Sequence, residues 1–168
     1  MTPTRPAVPS ARHLETARCL EGMRRSDPVL RSRQIRTRAW ALANAVPVDG
    51  EALTIVLAVL ADDEFRSGSV PEAWTSARVV DFVWRTCPLW ALHHGVVLSR
   101  ATADALRAWW AFLADGDGFA PGSDPLTALE ETLASHTGRA AAAAASRHPS
   151  MTARSGTRAA SGQHERRP

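Results

Sequence analysis

The sequence predicts an all-α protein, a compact bundle of about six helices with disordered N- and C-terminal tails. Apolar residues recur at the spacing of an amphipathic helix in several segments. Asp27-Pro28 and Asp124-Pro125 have the form of helix starts, an Asp cap followed by Pro at the first position. Residues that end helices, such as Pro47 and Gly116, separate the periodic segments.

Residues 1–9 contain three prolines and predict a flexible lead before a single helical domain over residues 10–146. Ser10 caps the first predicted helix, and Asp27 caps the second. The second helix carries a stripe that we expect to face the core, made of Ile35, Ala39, Trp40, Leu42, Ala43 and Val46. A third segment follows the cap Asp49, and its apolar run over 53–60 fits a buried strand or a central helix. Its length, its cap and its Ala and Leu content favour the helix.

The fourth helix is predicted to begin near Ser76 and to end or kink at Pro88. Its apolar face consists of Val79, Val80, Val83, Trp84 and Cys87. Ser99 caps a fifth helix with the stripe Leu106, Trp109, Trp110 and Leu113. The sixth helix follows Pro125 and is predicted to end at Gly138. Its apolar residues are Leu126, Leu129 and Leu133. A short alanine helix is predicted to follow over 139–145. Residues 147–168 cannot bury a core and predict a disordered basic tail.

Charge is segregated along the chain, although the net charge is only +3. Residues 1–38 hold nine Arg against three acids (+6), residues 39–138 five Arg against thirteen acids (−8), and residues 139–168 six Arg against one acid (+5). Every basic residue is Arg and Tyr is absent, a bias that GC-rich codons explain. The acidic centre would repel a polyanion, so we expect any nucleic-acid contact to come from the terminal segments.

The sequence indicates a soluble cytoplasmic protein without membrane association. The two cysteines, Cys19 and Cys87, make no disulfide framework in a chain of this size. The first residues contain no apolar segment of the kind found in secretory signals, and the apolar run over 52–61 is too short to cross a bilayer.

Four arginines near the start of the second helix, Arg31, Arg33, Arg36 and Arg38, form the candidate nucleic-acid contact. At about 100° per residue, Arg31 and Arg38 flank the apolar stripe on one side and Arg36 flanks it on the other. Arg33 lies at the back. This spread is equally typical of a solvated helix face whose arginine stems cover apolar surface.

Six tryptophans supply large aromatic surface, and Trp74, Trp90 and Trp110 are the candidates for contacts with a partner. The alternative is packing, with Trp40, Trp84 and one of the pair Trp109 and Trp110 in the core. Adjacent residues on a helix point about 100° apart, so we expect one of that pair at a rim.

The sequence contains no catalytic or cofactor motif, and we predict no cofactor and no metal. Cys87, His93 and His94 lack the second ligand pair of a structural zinc site. The segment Asp115-Gly116-Asp117-Gly118 resembles the start of a calcium-binding loop. That pattern requires an oxygen ligand at its fifth position, Gly at its sixth and Glu at its twelfth, and here these positions hold Phe119, Ala120 and Leu126, respectively. An enzyme of this composition would have His93, His94 and Asp81 as its acid–base groups.

The segments Ala73-Trp74-Thr75-Ser76, Cys87-Pro88-Leu89-Trp90 and Leu106-Arg107-Ala108-Trp109-Trp110-Ala111-Phe112 resemble an uncharacterised all-helical domain of high-GC bacterial hypothetical proteins. The resemblance covers residues 73–133 and departs near His93, where a basic residue is expected. It implies a helical fold and no activity. We therefore expect a non-enzymatic interaction module that binds another macromolecule, first of all a protein. The alternatives are a nucleic-acid-binding accessory protein that uses the terminal arginines and a small helical enzyme.

Overall fold

The computed structural model describes residues 11–116 and 118–146, so the predicted tails over 1–9 and 147–168 lie outside the described residues. This part of the chain is helical and contains no strand, which confirms the all-α prediction. The segments are α1 (Ala11–Ser26), α2 (Pro28–Ala43), α3 (Gly50–Ser67), α4 (Ser76–Asp81), α5 (Cys87–His94), α6 (Ala101–Asp115) and α7 (Leu126–Ser146). A π-helical turn (Phe82–Thr86) joins α4 to α5, so the described residues form six continuous helices. Within the described ranges, no helix has the length and apolarity to span a membrane.

The centre of the bundle is α3, whose residues 52–60 are all buried. It packs against α1, α2, α5 and α6. The Asp49 carboxylate accepts a hydrogen bond from the Ala52 N–H at 2.8 Å, which confirms the predicted cap. Gly68 ends the helix in the left-handed conformation (φ 71°), which glycine adopts without steric cost. The apolar run is therefore the central helix rather than a strand.

The orientation predicted for α2 is wrong. Its buried residues are Leu30, Gln34, Thr37 and Ala41, whereas Ile35 is 57% exposed and Leu42 is 84% exposed. The polar residues on the buried face have internal partners. Gln34 donates to the Thr54 hydroxyl and to the Gly50 carbonyl, and Thr37 donates to the Arg33 carbonyl at 2.9 Å. Because these groups are satisfied, their burial costs little. Ile35, Ala39 and Leu42 of the predicted stripe face solvent, whereas Trp40 remains partly buried against the core.

The helix predicted to end or kink at Pro88 does not end there but continues to His94. Proline lacks an N–H, and its ring clashes with the carbonyl four residues earlier in a regular α-helix. Here the turn before Pro88 is widened, and the Cys87 N–H donates to the Phe82 carbonyl five residues back. The π turn thus accommodates the proline and keeps α4 and α5 continuous.

The end predicted for α7 at Gly138 is also wrong, because the helix continues to Ser146. The alanines that follow are the strongest helix formers, and they extend the helix past a single glycine. The segment before α7 is fixed to α4. Asp124 accepts hydrogen bonds from the Ser76 N–H at 2.7 Å and the Ser76 hydroxyl at 2.8 Å. These bonds lower the pKa of the Asp124 carboxyl.

Candidate functional site

The outer face of α2 carries an apolar ridge, which we define as Ile35, Ala39 and Leu42. All three side chains are exposed, Ile35 at 57% and Leu42 at 84%. Their spacing of four and three residues places them in line on one side of the helix. Two large aliphatic side chains aligned in solvent differ from the isolated exposed residues found on most surfaces.

The arginines of α2 do not gather on one face. The Arg33 side chain is only 19% exposed and forms ion pairs with Glu64 at 3.1 Å and with Glu72 at 3.4 Å. These ion pairs connect α2 to the end of α3 and to the loop that follows it. The guanidinium of Arg36 lies over the Phe112 ring at 5.7 Å. Arg31 and Arg38 are exposed, and neither forms an ion pair with any described residue. By helical geometry, Arg31 and Arg38 follow the ridge on one side and Arg36 on the other, and the Arg38 guanidinium extends to Gly50 at the start of α3.

The three tryptophans proposed as contact residues are buried: Trp74 is 0%, Trp90 is 5% and Trp110 is 0% exposed. Trp74 donates to the Pro71 carbonyl at 2.8 Å and packs edge-on against Trp110 at 5.1 Å. The guanidinium of Arg78 covers its ring at 4.9 Å. These side chains build the core and present almost no surface to a partner.

The expectation that Trp109 or Trp110 lies at a rim is wrong, since they are 1% and 0% exposed. Both are covered because α6 has neighbours on several sides, namely α2, α3 and α7. Trp84, predicted to be core, is 47% exposed and donates to Nδ1 of His136 at 2.9 Å. Trp40 is partly buried and donates to the Asp115 carboxylate at 2.7 Å.

Asp81 and the two histidines are too far apart to act as one acid–base site. Twelve residues separate Asp81 from His93, roughly 18 Å along a helix. The Arg85 and Thr86 side chains donate to Asp81 at 2.6 and 2.7 Å and lower the pKa of its carboxyl. Burial and the neighbouring His93 lower the pKa of His94, whose ring lies 4.5 Å from that of Trp90. Among the described residues there is no group of three side chains suited to a metal ion.

A second surface feature is a groove of about 530 Å³ between the π turn, the first half of α6 and α7. We call it the π groove. Its apolar lining includes Phe82, Val83, Cys87, Leu98, Leu106 and Leu133. Burial raises the pKa of the Cys87 thiol to about 12, so the sulfur stays protonated at neutral pH and is a poor nucleophile. The groove is thus suited to binding rather than to thiolate chemistry.

Comparisons of the chain with protein-family models, with curated proteins and with solved structures find no match. The function is therefore inferred from the surface itself.

The apolar pattern of α2 predicts the ridge residues in the core, and no pattern in the sequence indicates the π groove. One signal for the true orientation of α2 was present, because Leu30, Gln34, Thr37 and Ala41 also have helical spacing. Two of these residues are polar, so hydropathy alone selects the opposite face. The π groove has no local signal, since its walls come from three separate segments of the chain.

Proposed function

We propose that this protein is a non-enzymatic helical module that binds another protein, and that the ridge of α2 is its docking surface. The partner has a surface of apolar side chains flanked by Asp or Glu. The single observation that supports this most is the exposure of Ile35 and Leu42 on a helix whose opposite face is already packed.

The apolar part of the surface provides binding energy. Covering a fully exposed Leu or Ile side chain contributes about 1.5–3 kcal/mol. Ile35 and Leu42 keep 57% and 84% of their surface in water, so a partner gains most of that contribution. Ala39 lies between them and is small, so a partner helix can approach closely there.

The arginines around the ridge define the charge of the partner. Arg31 and Arg38 have no carboxylate partner among the residues described, and Arg is enriched in protein interfaces. Acidic residues on the partner would pair with them and speed association. Phosphates are a poorer match for this surface, because an apolar ridge separates the arginines and Arg33 is engaged with Glu64 and Glu72.

The test compares capture of proteins by the full chain and by variants, with and without nuclease. The variant Ile35→Ser, Leu42→Ser removes the apolar ridge. Phe65→Ser is the matched control, because Phe65 is a large apolar residue that is 90% exposed at the end of α3. We expect specific partners to be lost with the ridge variant and retained with the control, whether or not nuclease is present.

Two results would contradict the proposal. Equal capture by the ridge variant and the wild-type chain would show that α2 is not the docking surface. Loss of all capture after nuclease treatment would instead favour the alternative, a nucleic-acid-binding protein.

A further inference from the structure

The π groove has the size and lining of a small-molecule site. Its volume of about 530 Å³ lies within the range of ligand pockets, roughly 300–1,000 Å³. Its inner wall is apolar, with Phe82 and Leu106 buried. It shares no residue with the ridge of α2 and is independent of the function proposed above.

The π turn forms one wall of this groove. In a regular α-helix, residues five apart point in different directions, but the π turn, in which the Cys87 N–H donates to the Phe82 carbonyl, brings these two residues closer to the same side of the helix. Both side chains line the groove. π turns occur within α-helices and are frequent at functional sites.

Gly138 forms part of the opposite wall, in the middle of α7. Glycine destabilises a helix relative to alanine, and it is usually retained where a neighbour leaves no room for a side chain. Here a Cβ at position 138 would meet nothing within 4 Å. A side chain at position 138 would therefore extend into open space, and the groove is bounded on this side by the α7 backbone at Gly138 together with Leu133 and Thr137.

The rim of the groove is positively charged. It contains Arg100, Arg107 and Asp104. Arg107 donates to Asp104 at 2.7 Å, so these two charges compensate each other. Arg100 is exposed and forms no ion pair with the part of the chain that the structure describes. One uncompensated guanidinium beside an apolar groove complements a molecule with an apolar body and one negative group.

We propose that the π groove binds a small soluble amphipathic anion, a monocarboxylate with an aliphatic chain. The chain lies between the π turn and Gly138, and the carboxylate lies beside Arg100. Binding requires no covalent step, in keeping with the protonated Cys87 thiol in the wall.

The experiment is calorimetric titration of the full chain with octanoate and, separately, with 1-octanol, which has the same chain length and no charge. Ala103→Leu fills the groove from α6, and Ala111→Leu, on the same helix but outside the groove lining, is its matched control. Arg100→Gln removes the charge at the rim, with Arg66→Gln as a control in an exposed pair with Asp62. Thr137→Trp fills the groove from α7 and replaces Ala103→Leu if that variant does not fold, as judged by circular dichroism.

We expect saturable octanoate binding that Ala103→Leu or Thr137→Trp abolishes and that Ala111→Leu and Arg66→Gln preserve. Arg100→Gln should weaken octanoate binding about two- to fivefold and leave 1-octanol binding unchanged. No saturable binding of octanoate, or binding unaffected by a folded groove-filling variant, would overturn the proposal. The proposal would also be overturned if the protein did not bind octanoate but sedimented with phosphatidylglycerol vesicles. The ligand would then be the anionic headgroup of a membrane lipid rather than a soluble carboxylate.

Discussion

The helices α2 and α6 carry similar apolar patterns and use them in opposite ways. On α6 the predicted stripe is buried, with Leu106 1% and Leu113 0% exposed. On α2 three residues of the predicted stripe form the ridge, and Leu42 is 84% exposed, whereas Trp40 of the same stripe packs against the core. A helical stripe therefore indicates that a face is suited to burial. It does not indicate whether that face is buried when the chain folds.

The two helices differ in what holds them in place. Each of them contacts three other helices, but the buried residues of α6 cover more than half of its circumference, whereas those of α2 form a narrow face. Specific polar bonds fix the rotation of α2. Arg33 pairs with Glu64 and Glu72, and Gln34 donates to Thr54. Such bonds fix the rotation of α2 about its axis, even though a different rotation would bury its apolar side chains.

The largest expected contrast is between two leucines. Leu113→Ala on α6 should lower the free energy of unfolding by about 2–5 kcal/mol, because it removes a fully buried side chain and leaves a cavity. Leu42→Ala on α2 should change it by less than about 0.5 kcal/mol, because that side chain is mostly solvated already. Urea unfolding followed by circular dichroism measures both. Similar losses for the two variants would mean that α2 is rotated differently from the orientation described.

A second difference in stability is expected within α2, between variants of the buried Gln34 and of its exposed neighbour Ile35. Gln34→Ala should destabilise the protein by about 1–3 kcal/mol, since it removes the buried amide that donates to Thr54 and to the Gly50 carbonyl. Ile35→Ala, its matched control, should change stability by less than about 0.5 kcal/mol. Urea unfolding of the two single variants tests this order. A larger loss for Ile35→Ala would contradict the burial of the polar face.

The smallest expected loss of stability comes from removing the hydrogen bond between Trp40 of α2 and Asp115 of α6. Trp40→Phe removes the indole N–H that donates to Asp115 and keeps a ring to pack edge-on against Phe112. The expected loss is about 0.5–1.5 kcal/mol. The same substitution should cost less in an Asp115→Ala background, where the acceptor is already absent. Equal costs in both backgrounds would show that this hydrogen bond does not join α2 to α6 in solution.

The helices could be predicted from the sequence because their signals are local. A cap such as Asp27 or Asp49 bonds to N–H groups within three residues, and the apolar run over 52–60 lies within one segment. Local structure also explains why two helices continue past residues that usually end them. The π turn accommodates Pro88, and the alanines after Gly138 extend α7 as one helix.

Only the tertiary structure decided which faces these helices bury. The pairs that orient α2 join residues far apart in the chain, such as Arg33 with Glu64 and Gln34 with Thr54. The burial of both Trp109 and Trp110 depends on neighbours around α6, and the π groove requires three segments to meet. Composition and spacing determine where the chain is helical, because helix formation depends on nearby residues. The exposed ridge and the groove depend on contacts between distant residues, so they emerge only when the helices pack.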